Sequence, residues 1–478
     1  MATLSPARMA AADILSNVRR RNAHARELLR TSAPVARLTP ANRALATRLA
    51  LGSVRASGTI EALLDAHLRG GHLEPRVRDA LSISAYELLW LSTPVPVAIS
   101  QGVELVRRVS PHGTGLANAV LHRVAEEDVP ALAHARESVA RRDCTSSDIA
   151  LVAALPSWLA DELVVSLGTE EACRMALAAM DAPGAYVAGN ARLHDGAEVE
   201  RLLSAAGLIP RATCLPGCLE LSSSAGLASS GLVAAVDVVP ADMAAQVVAW
   251  LASPAPSTHM LEVGQGRGTK SLLLESCALR RGGLARLSSV DLEAFKVTVS
   301  RARMARAGLG DVVTCTAFDG CRLGEQDLPE ELVGPFDSVF VDAPCSGTGT
   351  LRRHPEIAWA LQEGAIRAGS QSLPALQLAL IRAASARVCP GGTLAYATCS
   401  ELREEDERVV LSFLASPEGA RFSLVSPRST AAFAALPSDA QRLVAPMIGP
   451  DGMVRTSRAG TEELPLDGHF LALLVREA

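Results

Sequence analysis

Lysine is nearly absent from this chain: of its 46 basic residues, only Lys270 and Lys296 are not arginine. Aromatic residues are almost as sparse, with four Trp, three Tyr and eight Phe among 478 residues. That leaves few stacking platforms for unpaired bases, the nearest to the motifs below being Phe318, Trp359 and Tyr396. No apolar run approaches the ~20 residues that a membrane-spanning helix needs. Arg19, Arg20 and Arg21 follow an ordinary amphipathic stretch, not the apolar core of a secretory signal. A cytoplasmic protein with no membrane partner is the expectation. Internal repeats and low-complexity tracts are missing too, which excludes a solenoid.

Ten cysteines are present, but they are spread along a chain without a secretory signal, which suits a reducing compartment. Cys214 and Cys218 form a close pair with no second Cys/His pair at zinc spacing, so no metal is expected. The chain is 49% hydrophobic and 20% charged, and its length exceeds what one core organises, which predicts two or three domains. Charge is unevenly placed. The first 60 residues hold ten arginines against two acids, although the whole chain carries a net −5. A basic front end on an acidic protein suits a phosphate-bearing partner, while a solvated helix face would give the same count.

Apolar residues recur at helical spacing through residues 5–130, in Met9-Ile14-Val18, Leu45-Leu49-Leu51-Val54 and Leu81-Tyr86-Leu89. Breakers stand at Thr39-Pro40, Gly70-Gly71, Pro94/Pro96 and Pro111-His112-Gly113. This predicts an all-α domain over 1–130, followed by a polar linker over 131–150. Helices and short strands over 151–240 read as a small α/β module. From 241 to 478 apolar strands near 260–263, 285–290, 312–316, 338–341 and 393–397 alternate with helices, which predicts an open, mostly parallel sheet. The segments Asn42-Arg43-Ala44, Leu51-Gly52-Ser53-Val54-Arg55, Ala85-Tyr86-Glu87-Leu88-Leu89 and Asn118-Ala119-Val120-Leu121 resemble those of the NusB-type RNA-binding domain. That resemblance implies RNA contacts from Arg43 and Arg55.

Met260-Leu-Glu262-Val-Gly264-Gln-Gly266-Arg-Gly268-Thr-Lys270 reads as a strand, a glycine loop and a helix start. Glycines there let a ligand approach the backbone closely. A dinucleotide loop would need glycine at 269, where threonine stands. The acid-x-Gly-x-Gly-x-Gly form is similar to the S-adenosylmethionine loop of Rossmann-like methyltransferases, with Glu262, the three glycines and Lys270 as donor-site residues. Asp291 ends the next strand, where a ribose diol would be gripped, and Asp319 the third, within reach of an adenine amino group. Lysine survives at 270 where a compact ammonium serves better than a planar fork.

Two more strands each end in a cysteine: Asp342-Ala-Pro344-Cys345-Ser-Gly-Thr-Gly, and Thr398-Cys399-Ser400. Side chains just beyond strand carboxyl ends face the ligand crevice, so both thiols should overlook the methyl donor. Thiolate chemistry fits a cytosine substrate. Carbon-5 is a poor nucleophile until a thiolate adds at carbon-6 and turns carbon-5 into an enamine carbon. Asp342 could hydrogen-bond the ring nitrogen-3 edge and favour that addition. A base held in a helix must first leave its stack. With Arg352-Arg353-His354-Pro355 and Glu404-Glu405 alongside, the two motifs resemble those of RNA cytosine carbon-5 methyltransferases. Pro344-Cys345 alone is similar to the nucleophile motif of DNA cytosine methyltransferases, and the second cysteine decides between them. The whole chain resembles the bacterial small-subunit rRNA methyltransferase B family (the RsmB, or Sun/Fmu, type).

That resemblance implies Cys399 as nucleophile and Cys345 in product release. It also implies Asp342 and Pro344 at the donor, Arg352 and Arg353 on phosphates, and a monomer acting on 16S rRNA. The chain departs from the family pattern in its donor loop, where Gly264-Gln265-Gly266-Arg267-Gly268-Thr269-Lys270-Ser271 replaces Cys-Ala-Ala-Pro-Gly-Gly-Lys-Thr. It departs again at Ala188-Gly189-Asn190, at 241–246 and at His469. Two other readings stay open: the same chemistry on tRNA or another rRNA site, and a non-catalytic RNA-binding factor with a decayed donor loop.

Overall fold

Thr39 starts a helix because its hydroxyl accepts from the Asn42 amide, while Pro40 occupies the first turn, where no intrahelical N–H is lost. That helix, Pro40–Arg55, packs with Pro6–Arg21 and Pro75–Trp90. Gly52 permits the close approach, since a Cβ there would lie 1.9 Å from the Tyr86 ring. Arg8 and Glu87 pair inside this bundle, with Nε 2.7 Å from Oε2, and Thr93 donates to the same carboxylate at 2.7 Å. In the computed structural model, residues 3–477 are described apart from 22, 24, 69–72, 355, 462–463 and 465. The expected breaker at Gly70-Gly71 and the motif residue Pro355 therefore lie outside the described residues.

The chain divides into two compact units. The first runs to Ala182 and takes in Leu351–Gln362, and its described residues before Ala182 are helical or in short connections. The expected linker over 131–150 is a correction: it holds the helices Val129–Arg141 and Ser146–Ala153. Thr145 closes a reciprocal capping box with Asp148, so the polar run Thr-Ser-Ser-Asp marks a helix start. A second correction concerns 151–182, expected in the small module. Helices Ser157–Leu167 and Thr169–Ala178 instead bury Leu159, Leu163, Ala172 and Cys173 within the first unit.

Among the described residues, the second unit carries two sheets. The smaller contains β1 (Ala185–Gly189), β2 (Pro210–Ala212), β3 (Cys218–Leu221) and β4 (Val238–Pro240), antiparallel in the order β2-β3-β1-β4. The larger contains β5 (His259–Val263), β6 (Arg286–Asp291), β7 (Val313–Ala317), β8 (Phe336–Asp342), β9 (Val388–Thr398), β10 (Phe422–Val425), β11 (Val454–Arg455) and β12 (Phe470–Arg476). Its order is β10-β12-β9-β8-β5-β6-β7, with β11 paired to β12. From β9 to β7 the pairs are parallel, whereas β12 runs antiparallel to β9, β10 and β11. Burial on both faces explains the continuous apolar run Val339-Phe340-Val341. The order reverses between β5 and β8, which places the loops after those strands at the switch point where open α/β sheets bind ligands. No single helix among the described residues is long and apolar enough to cross a membrane.

Candidate active site

The donor loop leaves β5 through Gly264, Gly266 and Gly268, all at positive φ of 87°, 56° and 78°. A Cβ on Gly264 would lie 2.2 Å from the Asp342 carbonyl oxygen, so β8 crosses too closely for any side chain. At Gly266 nothing lies within 4 Å, which leaves an open cradle over the loop. The Gly266 amide donates to Asp291 Oδ2 at 2.9 Å, and the Glu293 amide donates to Oδ1 at 2.9 Å. Asp291 thus stands fixed at the end of β6 beside that cradle. Asp319 accepts from the Cys321 amide at 2.9 Å and opens a short 3₁₀ turn.

Glu262 is sealed under the loop. Its Oε2 accepts from the Ser271 and Ser289 hydroxyls at 2.6 and 2.7 Å, and burial pushes its carboxyl up to about 7. Through Oε2, Glu262 braces β5, β6 and the helix Thr269–Arg280, while its Oε1 has no partner among the described residues. Gln265 is 3% exposed, and neither polar atom of its side chain has a partner among the described residues. A buried, unpartnered amide beside an open glycine and an anchored carboxylate fits a polar nucleoside such as S-adenosylmethionine. Gly266, Gln265 and Asp291 would hold it.

Lys270 Nζ reaches both oxygens of Asp342 at 2.7 Å. Burial works against its ammonium, but Asp342, Cys399 and Cys345 together hold its pKa above the ordinary value. Cys345 and Cys399 end their motifs on the adjacent parallel strands β8 and β9, and their sulfurs are 3.4 Å apart. The Cys399 amide also donates to Cys345 Sγ at 3.3 Å. A hydrogen bond from the Cys345 thiol draws the Cys399 thiol below its usual range; burial opposes this and the Lys270 charge assists it. Cys345 moves the other way, because it gives that hydrogen bond and is buried beside the developing Cys399 charge. The pair is therefore asymmetric, with thiolate character on Cys399.

Beneath the thiols lies a network that the motifs alone do not reveal. Glu405 is fully buried and accepts from the Ser346 amide at 2.8 Å, the Gln377 amide at 3.0 Å, the Ser400 hydroxyl at 2.6 Å and the Ser346 hydroxyl. Gln377 also donates to the Pro344 carbonyl at 2.9 Å, and Pro344 itself is exposed. Arg455 is 1% exposed and binds Glu401, Asp406 and Glu407 at 2.9, 3.1 and 2.8 Å. Its pKa is driven far up by those acids against the cost of burial. Within Glu-Leu-Arg-Glu-Glu-Asp-Glu these acids look like a solvated run. The one signal in the sequence was that Glu404-Glu405 follows Thr-Cys-Ser.

The expected RNA-contacting arginines lie in the first unit, which includes Arg352 and Arg353 in the segment Leu351–Gln362. Arg43 is exposed, and its guanidinium caps the carbonyls of Ala36 and Leu38. Arg55 corrects the expectation. It is 4% exposed and donates to the carbonyls of Leu351 at 2.7 Å and Ala153 at 3.2 Å, so it seats the 351–362 segment inside the unit. Two stacking candidates are corrected likewise. Trp359 donates to the Arg55 and Ala154 carbonyls at 3.0 and 3.2 Å and fills the space over Gly58. Tyr396 is wholly buried, donating to the Glu405 carbonyl at 2.6 Å.

Residues 249–453 match the family model of 16S rRNA methyltransferase RsmB/F, and residues 5–126 match that of the NusB family. The solved structure of PH0851 shares the fold across 100% of both chains, with a TM-score of 0.73 at 20% identity. Ribosomal RNA small subunit methyltransferase B of Pseudomonas putida is 30% identical over 394 residues, 80% of this chain and 83% of that protein. The same-named protein of Xylella fastidiosa strain 9a5c is 30% identical over 444 residues, 91% of this chain and 92% of its own length. Kinship that runs through the helical unit, the donor loop and both cysteine motifs makes this chain a member of the RsmB/F family of 16S rRNA methyltransferases.

Proposed function

We propose that the protein transfers a methyl group from S-adenosylmethionine to carbon-5 of a cytosine in small-subunit (16S) rRNA, with Cys399 as the nucleophile. The thiol pair carries this reading: two sulfurs lie 3.4 Å apart just past adjacent strand ends, and the Lys270 ammonium favours the thiolate of Cys399. When bound, the donor supplies an electrophilic methyl on sulfonium. Everything else falls to the protein and the base. The Cys399 thiolate adds to carbon-6, and the electron pair displaced from the double bond makes carbon-5 nucleophilic. Negative charge developing toward the nitrogen-3 edge is met by the Lys270–Asp342 pair, in which the Lys270 ammonium, 2.7 Å from both Asp342 oxygens, supplies the positive charge and the proton that Asp342 passes to that edge.

Once Cys399 has become a thioether, its charge and its hydrogen bond no longer hold the proton on Cys345. Cys345 then loses that proton to solvent and can take the carbon-5 proton. The freed C–H pair closes the carbon-5–carbon-6 double bond, and the carbon–sulfur pair returns to Cys399 as thiolate. Cys345 is thereby the residue of release, not of attack.

Arg352, Arg353 and Arg43 serve the RNA by charge. A ribosomal RNA substrate supports a cytoplasmic enzyme, and with both thiols and the helical unit on one chain the reading needs no second copy. The test is incubation with methyl-labelled S-adenosylmethionine and unmodified small-subunit rRNA. Label at carbon-5 of a cytosine is expected; no such label at any salt concentration would refute the reading.

A further inference from the structure

Glu405 touches neither sulfur, yet it is bonded to both cysteine loops. Its Oε1 accepts from the backbone amide of Ser346, the residue after Cys345. Its Oε2 accepts from the hydroxyl of Ser400, the residue after Cys399. Gln377 ties the same carboxylate to the Pro344 carbonyl, on the other side of Cys345. The backbone of Glu405 is pinned in turn, because Tyr396 in β9 donates to its carbonyl and its own amide donates to Leu402. A third segment closes the frame. Gly349 donates to the Cys399 carbonyl at 3.0 Å and accepts from the Gly468 amide at 2.8 Å, and a Cβ at Gly349 would strike the Gly468 carbonyl at 1.9 Å.

Four donors on one buried carboxylate leave it no freedom to drift. Removing it would orphan those donors and leave the two loops joined by neutral contacts such as those of the Ser346 and Thr348 hydroxyls with the Ser400 hydroxyl, at 3.3 and 3.2 Å. Parallel pairing of β8 with β9 brings the loops side by side but stops at Asp342 and Ala397, short of both thiols. The final approach of the sulfurs therefore depends on what lies past the strand ends.

We infer that Glu405 is a positioning residue: it clamps the Cys345 loop to the Cys399 loop and so sets the sulfur spacing on which product release depends. The inference rests on the thiol chemistry proposed above. Attack needs the Cys399 thiolate, which keeps the Lys270 charge beside it even when the Cys345 hydrogen bond weakens, whereas release requires Cys345 to reach a base already bonded to Cys399. Loosening the clamp should impair release more than attack.

The test uses the full chain, methyl-labelled S-adenosylmethionine and unmodified small-subunit rRNA. Glu405→Asp keeps the charge but is one methylene too short to span both loops. It should accumulate covalent protein–RNA complex on denaturing gels and release methylated RNA about 100-fold more slowly, the scale of an ångström misplacement. Its first methyl transfer should fall far less. Glu405→Gln keeps the span, and the Ser346 and Ser400 hydroxyls can turn to accept from its amide, so it should recover most of the release rate. Equal losses of first transfer and release, or a Gln variant no better than Asp, would overturn the clamp.

A second measurement needs no turnover. Phenylarsine oxide bridges two thiols at this spacing, and a Cys144→Ser, Cys214→Ser background removes the competing pairs, Cys144 with Cys173 at 3.3 Å and Cys214 with Cys218. Capture at Cys345 and Cys399 should be strong in that background and lost when Glu405→Asp is added; equal capture would contradict the clamp. An unsubstituted enzyme that forms neither adduct nor methylated RNA would refute the methyl-transfer reading instead, and the arsenical result would still judge the clamp.

Discussion

Lys270 Nζ lies 2.7 Å from each oxygen of Asp342, in a chain that otherwise uses lysine only at position 296. The pair sits between the donor loop and the thiols, and its ammonium is one of the groups that lower the Cys399 thiol. Lys270→Met should therefore raise the pKa of Cys399. A thiolate exists only above its pKa, so the rise of iodoacetamide labelling at Cys399 with pH should move to higher pH. Mass spectrometry of the labelled peptide reads this directly, and an unmoved profile would remove Lys270 from the account.

Gly264 and Gly266 should separate folding from donor binding. Gly264→Ala drives a methyl group into the Asp342 carbonyl and should lower the melting temperature. Gly266→Ala enters open space, with only the strain of its positive φ, of order 1–2 kcal/mol. It should weaken S-adenosylmethionine binding in calorimetry by more than that strain explains. Unchanged affinity would mean that the donor lies elsewhere.

Burial pushes Glu275 up to about 7, so the native state holds a proton that the unfolded chain sheds above the ordinary carboxylate range. The stability from this group is complete below about pH 4.3, the unfolded value, and is lost as pH rises through 7. Glu275→Gln should melt higher than the parent at pH 8 and alongside it at pH 4.5. A pH-independent difference would contradict the assignment.

Arg55 and Arg43 come from neighbouring segments but should behave differently. Arg55→Met strands two buried carbonyl partners and should cost about 1–3 kcal/mol of stability in denaturant titrations. Arg43→Gln should leave stability nearly unchanged and reduce the salt dependence of RNA binding by a slope of about 0.7, one phosphate contact on single strands. The same slope loss in both variants would contradict the buried role of Arg55.

Much of this architecture was legible from local pattern. Strand endings at Val263, Asp291, Ala317, Asp342 and Thr398 follow from apolar runs meeting turn residues, and those runs placed the donor loop and both cysteines beyond the carboxyl ends of the parallel strands. What stayed hidden depends on distant partners. Residues 131–150 look like a linker because Arg141-Arg142-Asp143 and Ser146-Ser147-Asp148 interrupt them, yet Leu132, Ala135 and Val139 bury one helical stripe. Arg55 and Trp359 lie some 300 residues apart and meet only in the folded unit. Glu405 and Arg455 carry charge, which in sequence signals solvent; only their partners show that each is buried and paired.

The most direct test of the central claim compares two alanine variants with unmodified small-subunit rRNA and S-adenosylmethionine on a denaturing gel. Cys345→Ala should trap a covalent protein–RNA complex, since attack and methyl transfer proceed while release stalls. Cys399→Ala should form none. A complex with Cys399→Ala and none with Cys345→Ala would reverse the two roles and contradict the account.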